Sequence, residues 1–386
     1  MRYPTTSELE AALFAKLEAS TAGNARAMTA TIVGVSDAPE AQALDDVIST
    51  LMGRRPVRVL HLRSDSSEDH RSWASARCSM DRQSRGVCFE DIYIESPDDS
   101  ALESRVWGPL VIRELPALLL WTLDLRLLSG CGYDCAQRTD LTIIDGSRAC
   151  AARHLDPRSC AEILRSAAEG EASAASGGNA GADAALQGIV LADLAWERLL
   201  PLRWAFSRLF DGPYAADLEG IEDLRIEGLD PWAAELFSAW VKDRLAILGS
   251  KSLGGQNAIR IYSLDREQVA PGSRTTGPRI TGPRITGSAP IASDPIGPDS
   301  GKAASLRGGA EPWGCGKPWE GSLECGLSRG RTCSVRSVGQ FQGRLTFSDG
   351  RTLDLVFPEN GLGTILERLV DAPVGDPLYM RALGAI

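Results

Sequence analysis

The chain has 386 residues, an apolar fraction of 43% and a formal net charge of -10. That length suits two or more domains of roughly 100–200 residues each, and the acidic balance argues against broad binding to a nucleic-acid phosphate backbone. No apolar run reaches the roughly 18 residues needed to cross a bilayer, and the opening MRYPTTSELE lacks the apolar stretch of a secretory signal, so no nucleic-acid or membrane partner is expected and the default location is the cytoplasm.

Thr6 to Ser20 has the pattern of a helix, with Ser7 as its cap and Leu9, Leu13 and Leu17 along one face. MTATIVGV (28–35) is a buried strand. APEAQALDDVISTLMG is a helix stopped at Gly53, and PVRVLHLR (56–63) is the next strand. Strand, helix and strand in this order imply a parallel pair. Residues 64–85 are polar and irregular. VCFEDIYIE (87–95) alternates, whereas ALLLWTL (117–123) is apolar throughout, as a central strand covered on both faces must be. DLTIID (140–145) adds a fifth strand, and Asp156 or Ser159 can begin a helix reaching about Ala168. Residues 1–168 therefore form an open, mostly parallel α/β domain.

A Gly/Ala-rich linker at 169–186 follows; it cannot build a core. The remainder, 187–386, is expected to be an α+β domain with an antiparallel ribbon. Its first segment, LADLAWERLLPLRWAFSRLFDG, is helical with a kink or break at Pro201. GIEDLRIEG is a strand, PWAAELFSAWVKDRLAILG a helix with Pro at its first turn, and AIRIYS a strand. Alternating strands surround the hairpin signal Asp349-Gly350, and ILERLV and PLYMRAL suggest a final helical element. Within this domain, residues 270–318 are rich in Gly, Pro, Ser and Arg and repeat TGPRI in tandem. They are expected to be a disordered insertion.

Catalytic signatures are scarce. The chain has no G-x-x-x-x-G-K-[ST], no G-x-S-x-G and no G-x-G-x-x-G after a strand. GCGYDC (130–135) has two of three glycines, in the wrong context. Three histidines, His61, His70 and His154, are thin stock for metal or acid–base chemistry, and His61 is expected to be a partly exposed strand residue. Nine cysteines without an export signal favour a reduced state. Cys131 and Cys135, four apart in a Gly-rich loop, and Cys315, Cys325 and Cys333 beside the insertion admit two readings. They are redox-active loop thiols, or unpaired cysteines of which some are buried.

Two charges fall on apolar faces. Arg58 shares its strand face with Leu60 and Leu62, and Glu90 shares its face with Cys88, Ile92 and Ile94. Each needs a partner, and the simplest hypothesis pairs Arg58 with Glu90. Trp121, at a strand end, either closes the core or borders a binding crevice. Trp196 and Trp204, eight apart and accompanied by Arg198 and Arg203, either contact a partner or pack between the domains.

Several blocks, in order, resemble the OpcA family of glucose-6-phosphate dehydrogenase assembly proteins. They are AMTATIVGV (27–35), RPVRVLHL (55–62), VCFEDIYIE (87–95), WGPLVIRELPALLLW (107–121), LTIIDGS (141–147), DLAWERLLPLRWAFSRLFD (193–211) and the closing GDPLYMRAL. Relatives often have two tryptophans where this chain has Trp121-Thr122. The resemblance implies a non-catalytic partner, without a cofactor, that promotes oligomerisation or activation of glucose-6-phosphate dehydrogenase. It implies, in some lineages, a thioredoxin-type redox partner. On that reading the contact residues are expected among Trp107, Arg113, Trp121, Trp196, Arg198 and Trp204. A different reading is an enzyme or sensor holding a sugar phosphate or nucleotide in the crevice of the first sheet, with Arg58, Arg113 and Arg126 as phosphate contacts.

Overall fold

A computed structural model describes residues 28–64, 70–80, 86–170, 188–247, 260–264, 321–339 and 341–386, with residues 8, 9, 11, 12, 15 and 319. The helix expected over 6–20, the linker at 169–186 and the insertion at 270–318 lie mostly or wholly outside the described residues.

The first half runs β1 (Ala30–Asp37), α1 (Ala41–Ser49), β2 (Val57–Ser64), β3 (Arg71–Met80), β4 (Gly86–Glu95), α2 (Ser104–Trp107), β5 (Ala117–Trp121), α3 (Cys131–Gln137), β6 (Leu141–Ile144), α4 (Gly146–Ala152) and α5 (Pro157–Glu169). After it come β7 (Leu191–Asp193), α6 (Leu194–Arg198), α7 (Leu200–Leu209), β8 (Ile221–Glu227), α8 (Pro231–Ile247) and β9 (Arg260–Leu264). The chain closes with β10 (Ser322–Leu327), β11 (Arg331–Gly339), β12 (Gln342–Thr346), β13 (Thr352–Val356), α9 (Leu362–Asp371) and α10 (Pro377–Gly384).

Two sheets result. The first has the order β3-β4-β2-β1-β5-β6-β7 and is parallel except for the β3–β4 pair. The second has the order β13-β12-β11-β10-β8-β9, antiparallel except where β9 runs parallel to β8. The fold is α/β: an open, mostly parallel sheet followed by a unit with an antiparallel ribbon, as the patterning predicts.

The apolar strands sit where their composition requires. Every residue of β5 is buried, and it lies between β1 and β6, covered on both faces. Helix α1 buries Leu44, Val47 and Ile48 against the sheet. It ends at Ser49, before the expected stop; the turn that follows carries Gly53 at φ 75°, a left-handed conformation that glycine adopts without steric cost. Asp156 caps α5 by accepting from the backbone N–H groups of Arg158 and Ser159, and Gly170 ends it at φ 76°. Pro201 divides the expected long helix into α6 and α7 by occupying the first turn of α7.

One strand escapes the sequence pattern. Residues 64–85 were expected to be irregular, yet Arg71–Met80 forms β3 against β4. An edge strand needs no apolar run, because one side of it faces water. What fixes it is cross-strand pairing, with Trp73 opposite and stacked on Tyr93 at 4.7 Å between ring centroids.

The division expected at residue 168 does not coincide with the limits of the first sheet. Its outer strand β7 comes from residues 191–193. Helix α9, near the C-terminus, places Ile365, Leu366 and Leu369 in one buried cluster with Ile32 of β1 and Leu118 and Leu120 of β5. Arg54 and Arg55, after α1, pair with Glu367 and Asp371 of the same helix. The last residues of the chain thus complete the core of the first sheet.

Candidate functional site

In an open parallel sheet the crevice lies beyond the C-terminal ends of the strands. Here the ends of β6 and β7 bring Asp145, Gly146 and Asp193 together. Asp193 is fully buried and collects donors from four parts of the chain. Its Oδ1 accepts from the backbone N–H of Gly146 at 3.0 Å and of Ala195 at 2.8 Å. Its Oδ2 accepts from Trp232 Nε1 at 2.7 Å and faces the Tyr379 hydroxyl at 3.5 Å. Burial drives the Asp193 pKa up to about 7, against the opposing effect of the Gly146 and Trp232 hydrogen bonds; the neighbouring Asp145 adds to the rise. The phenol of Tyr379 is raised for the same reasons, burial first and then Asp193.

Around this hub the charges are consumed by one another. Both terminal nitrogens of Arg198 lie 3.0 Å from Asp145 Oδ2. Burial opposes the Arg198 charge, but Asp145 outweighs it and the pKa is raised. Arg148 pairs with Glu40. Ser147 donates to Asp230, which also accepts from the first-turn N–H groups of Trp232 and Ala233 and so caps α8. The arrangement is a polar joint between the first sheet, α8 and α10. Sequence reasoning missed Asp193, Trp232 and Tyr379 as a set. The sequence marks Asp193 only as a cap of the helix that follows, a role it has through the Ala195 N–H.

A second polar cluster lies between α1 and β4. His61 is buried, not partly exposed as the strand phase suggested. Its Nε2 is 3.0 Å from Asp91 Oδ1, and its Nδ1 is 2.9 Å from Asp45 Oδ1 without hydrogen-bond alignment. Tyr93 stacks on the ring at 4.1 Å. Arg63 bridges Asp45 and Glu95. Burial pushes the Asp45 carboxyl up, but His61 and Arg63 outweigh it, and its pKa is lowered.

Arg58 and Glu90 are directly opposite in the β2–β4 register. Arg58 Nη2 lies 2.8 Å from Glu90 Oε2, and Arg58 also donates to the carbonyl of Leu110 at 3.0 Å. Both groups are spent inside the core.

Of the residues expected to meet a partner, Trp107, Trp121 and Trp196 are fully buried. Each indole N–H bonds internally, to Leu102 O, Asp124 O and Asp376 Oδ2 respectively. The guanidinium of Arg203 covers the Trp196 ring at 3.7 Å. Trp204 is half-buried and meets Phe357 edge-on. Arg198 belongs to the Asp145 pair. Only Arg113 is exposed. Trp107 and Trp121 are enclosed by neighbouring segments of the first half, around Leu102, Asp124 and Gly132, and Trp196 by Tyr379 and Asp376 near the C-terminus.

The free cysteines described are mostly buried, in keeping with the second of the two readings, and Cys315 lies outside the described residues. Cys131 and Cys135 lie in helix α3, not in a loop. Burial pushes the Cys135 thiol up to about 12, with Asp134 and Cys131 adding to the effect, and its Sγ donates to Leu102 O. Burial and Asp99 raise Cys131. Both are therefore poor thiolates. Cys325 and Cys333 are buried strand residues facing each other across β10 and β11, not exposed loop thiols. Cys150 and Cys160 form a disulfide between α4 and α5, against the expectation of a wholly reduced set.

No described helix is long and apolar enough to cross a membrane. Two family models match the chain. The glucose-6-phosphate dehydrogenase subunit N-terminal domain (OpcA) covers residues 48–161, and the corresponding C-terminal domain covers residues 189–383. Among curated proteins none matches the sequence.

Proposed function

This chain belongs to the OpcA family of glucose-6-phosphate dehydrogenase assembly proteins, and from that premise we propose that it binds glucose-6-phosphate dehydrogenase and favours its active oligomer, catalysing no reaction itself. The observation that carries the reading is the match of both family domains, in order, across the two halves of the chain. An assembly factor works by binding one oligomeric or conformational state of its target more tightly than another; the target's equilibrium moves by that difference in affinity. Such a protein supports the oxidative pentose phosphate pathway through its partner, in the cytoplasm.

The chemistry of the strand ends is consistent with this. The groups a small ligand would need are bonded to one another: Arg198 to Asp145, Arg148 to Glu40 and Ser147 to Asp230. The test is to mix the purified chain with the dehydrogenase of the same organism. Expected results are a shift of the dehydrogenase to a larger species in sedimentation and a change in its KM for the sugar phosphate or in kcat. Unchanged size and kinetics would refute the proposal.

A further inference from the structure

The second sheet has one face in the core and one in water. Leu224, Leu323, Val335, Leu345 and Leu355 point inward and are buried. The opposite face of β11, β12 and β13 carries Arg336, Val338, Arg344 and Val356, all exposed.

Arg336 stands directly opposite Arg344 in the β11–β12 register. Like charges in this position repel and destabilise the pair. Arg344 is held by Asp354 on its other side, Nε to Oδ1 at 2.7 Å. No carboxylate among the described residues pairs with Arg336. Beside the arginines, Val356 is 74% exposed and Val338 49% exposed, and Val356 lies opposite Gln342 in the β12–β13 register. The patch thus joins a guanidinium with no carboxylate partner among the described residues to exposed branched apolar side chains. Arginine is enriched at protein interfaces and at their energetic centres. With Arg344 neutralised by Asp354, the surplus positive charge of this face is that of Arg336, on a chain of net charge -10, and it favours an acidic group of a partner at this position.

We propose that this face of the second sheet, centred on Arg336 and Arg344 and rimmed by Val338 and Val356, is the docking surface for an acidic patch on glucose-6-phosphate dehydrogenase. The proposal rests on the partner reading above and adds the surface and its chemistry. Docking supplies Arg336 with a carboxylate, which it does not have among the described residues, and removes the two valines from water.

The test uses the full chain carrying Arg336→Glu and Arg344→Glu, and measures its affinity for the purified dehydrogenase of the same organism at low and moderate salt. The expected result is binding weakened by about tenfold or more, with a flatter salt dependence. A second variant, Arg336→Ser with Val356→Ser, avoids new acidic charge and is expected to weaken binding in the same direction. Arg105→Glu, an 82% exposed side chain on the first unit, is the control, with affinity within about twofold of the parent. Thermal melting checks that each variant is folded. If the parent binds and both variants bind as tightly, the docking surface is refuted and the partner reading stands. If the variants alter only self-association, the face serves a second copy of this chain and the proposal is equally refuted. If the parent does not bind the dehydrogenase, both readings fall.

Discussion

Asp193 and Trp232 meet through a 2.7 Å hydrogen bond that ties the edge of the first sheet to helix α8. The carboxylate is fully buried and its pKa is raised to about 7. Its ordinary value is 3.8. Between these two values the folded state holds a proton that the unfolded state releases, so this group makes stability fall as pH rises from about 4 to about 7. Below that window the cost is absent; above it the cost is fully present, on the order of 4 kcal/mol. Asp193→Asn removes the titration but turns an amide N–H₂ toward either Trp232 Nε1 or the two backbone donors. Denaturant titrations at pH 4.5 and 8 are expected to show two effects. The variant is weaker by about 1–3 kcal/mol at pH 4.5, and its stability falls less than the parent's between the two pH values. Equal pH slopes would show that Asp193 does not titrate in this window.

Arg58 and Glu90 call for a different experiment. Glu90 is buried, its side chain only 2% exposed. Removing one partner strands the other charge in the core, so Glu90→Ala is expected to cost about 3–5 kcal/mol. Replacing both, as Arg58→Met with Glu90→Leu, exchanges the pair for apolar groups of similar size and is expected to recover most of that loss. Urea midpoints of the three proteins check it. A double variant as weak as the single one would mean that the Arg58 bond to Leu110 O matters more than the pair itself.

The Cys150–Cys160 disulfide closes a short loop between α4 and α5, with a sequence separation of 10. Loop-closure entropy for that length corresponds to about 2–3 kcal/mol of stability. Denaturation with and without a reductant, set beside a Cys150→Ser, Cys160→Ser variant, is expected to show a loss of that size. Reductant should then have little further effect on the variant. Finding both thiols free under non-reducing conditions would contradict the disulfide.

Local pattern carried much of the fold. The unbroken apolar run of β5 announced a central strand, and the phase of Arg58 and Glu90 within apolar strands announced that each needed a partner on its own face. Features set by distant residues did not show in local pattern. Trp196 looked like interface material because its helix is amphipathic, but it is buried against Tyr379 and bonded to Asp376, on segments 180 or more residues later. Strand β3 was invisible because an edge strand needs no apolar face, only a neighbour. The Asp193 hub gathers residues 146, 195, 232 and 379; capping spacing connects Asp193 with Ala195, and no spacing rule connects the other three.

Gly146 provides the sharpest probe of that hub. A Cβ placed on it would lie 2.2 Å from Trp232 Nε1 and 2.5 Å from Asp193 Oδ2, closer than side-chain atoms approach without displacement. Its own N–H is one of the donors to Asp193. Gly146→Ala must therefore move the strand end, the indole or the carboxylate, and each movement breaks a buried hydrogen bond. Overpacking of this kind costs about 1–3 kcal/mol, and a stranded buried donor adds a further amount of about the same size. Gly384→Ala makes a fair comparison, because nothing lies within 4 Å of its added Cβ, and it is expected to change stability by no more than about 0.5 kcal/mol. The quenching and emission maximum of tryptophan fluorescence give a second measure, since Trp232 would lose its carboxylate contact only in the first variant. A Gly146→Ala protein as stable as the parent would mean that the joint between α4, α8 and Asp193 is looser than these distances describe.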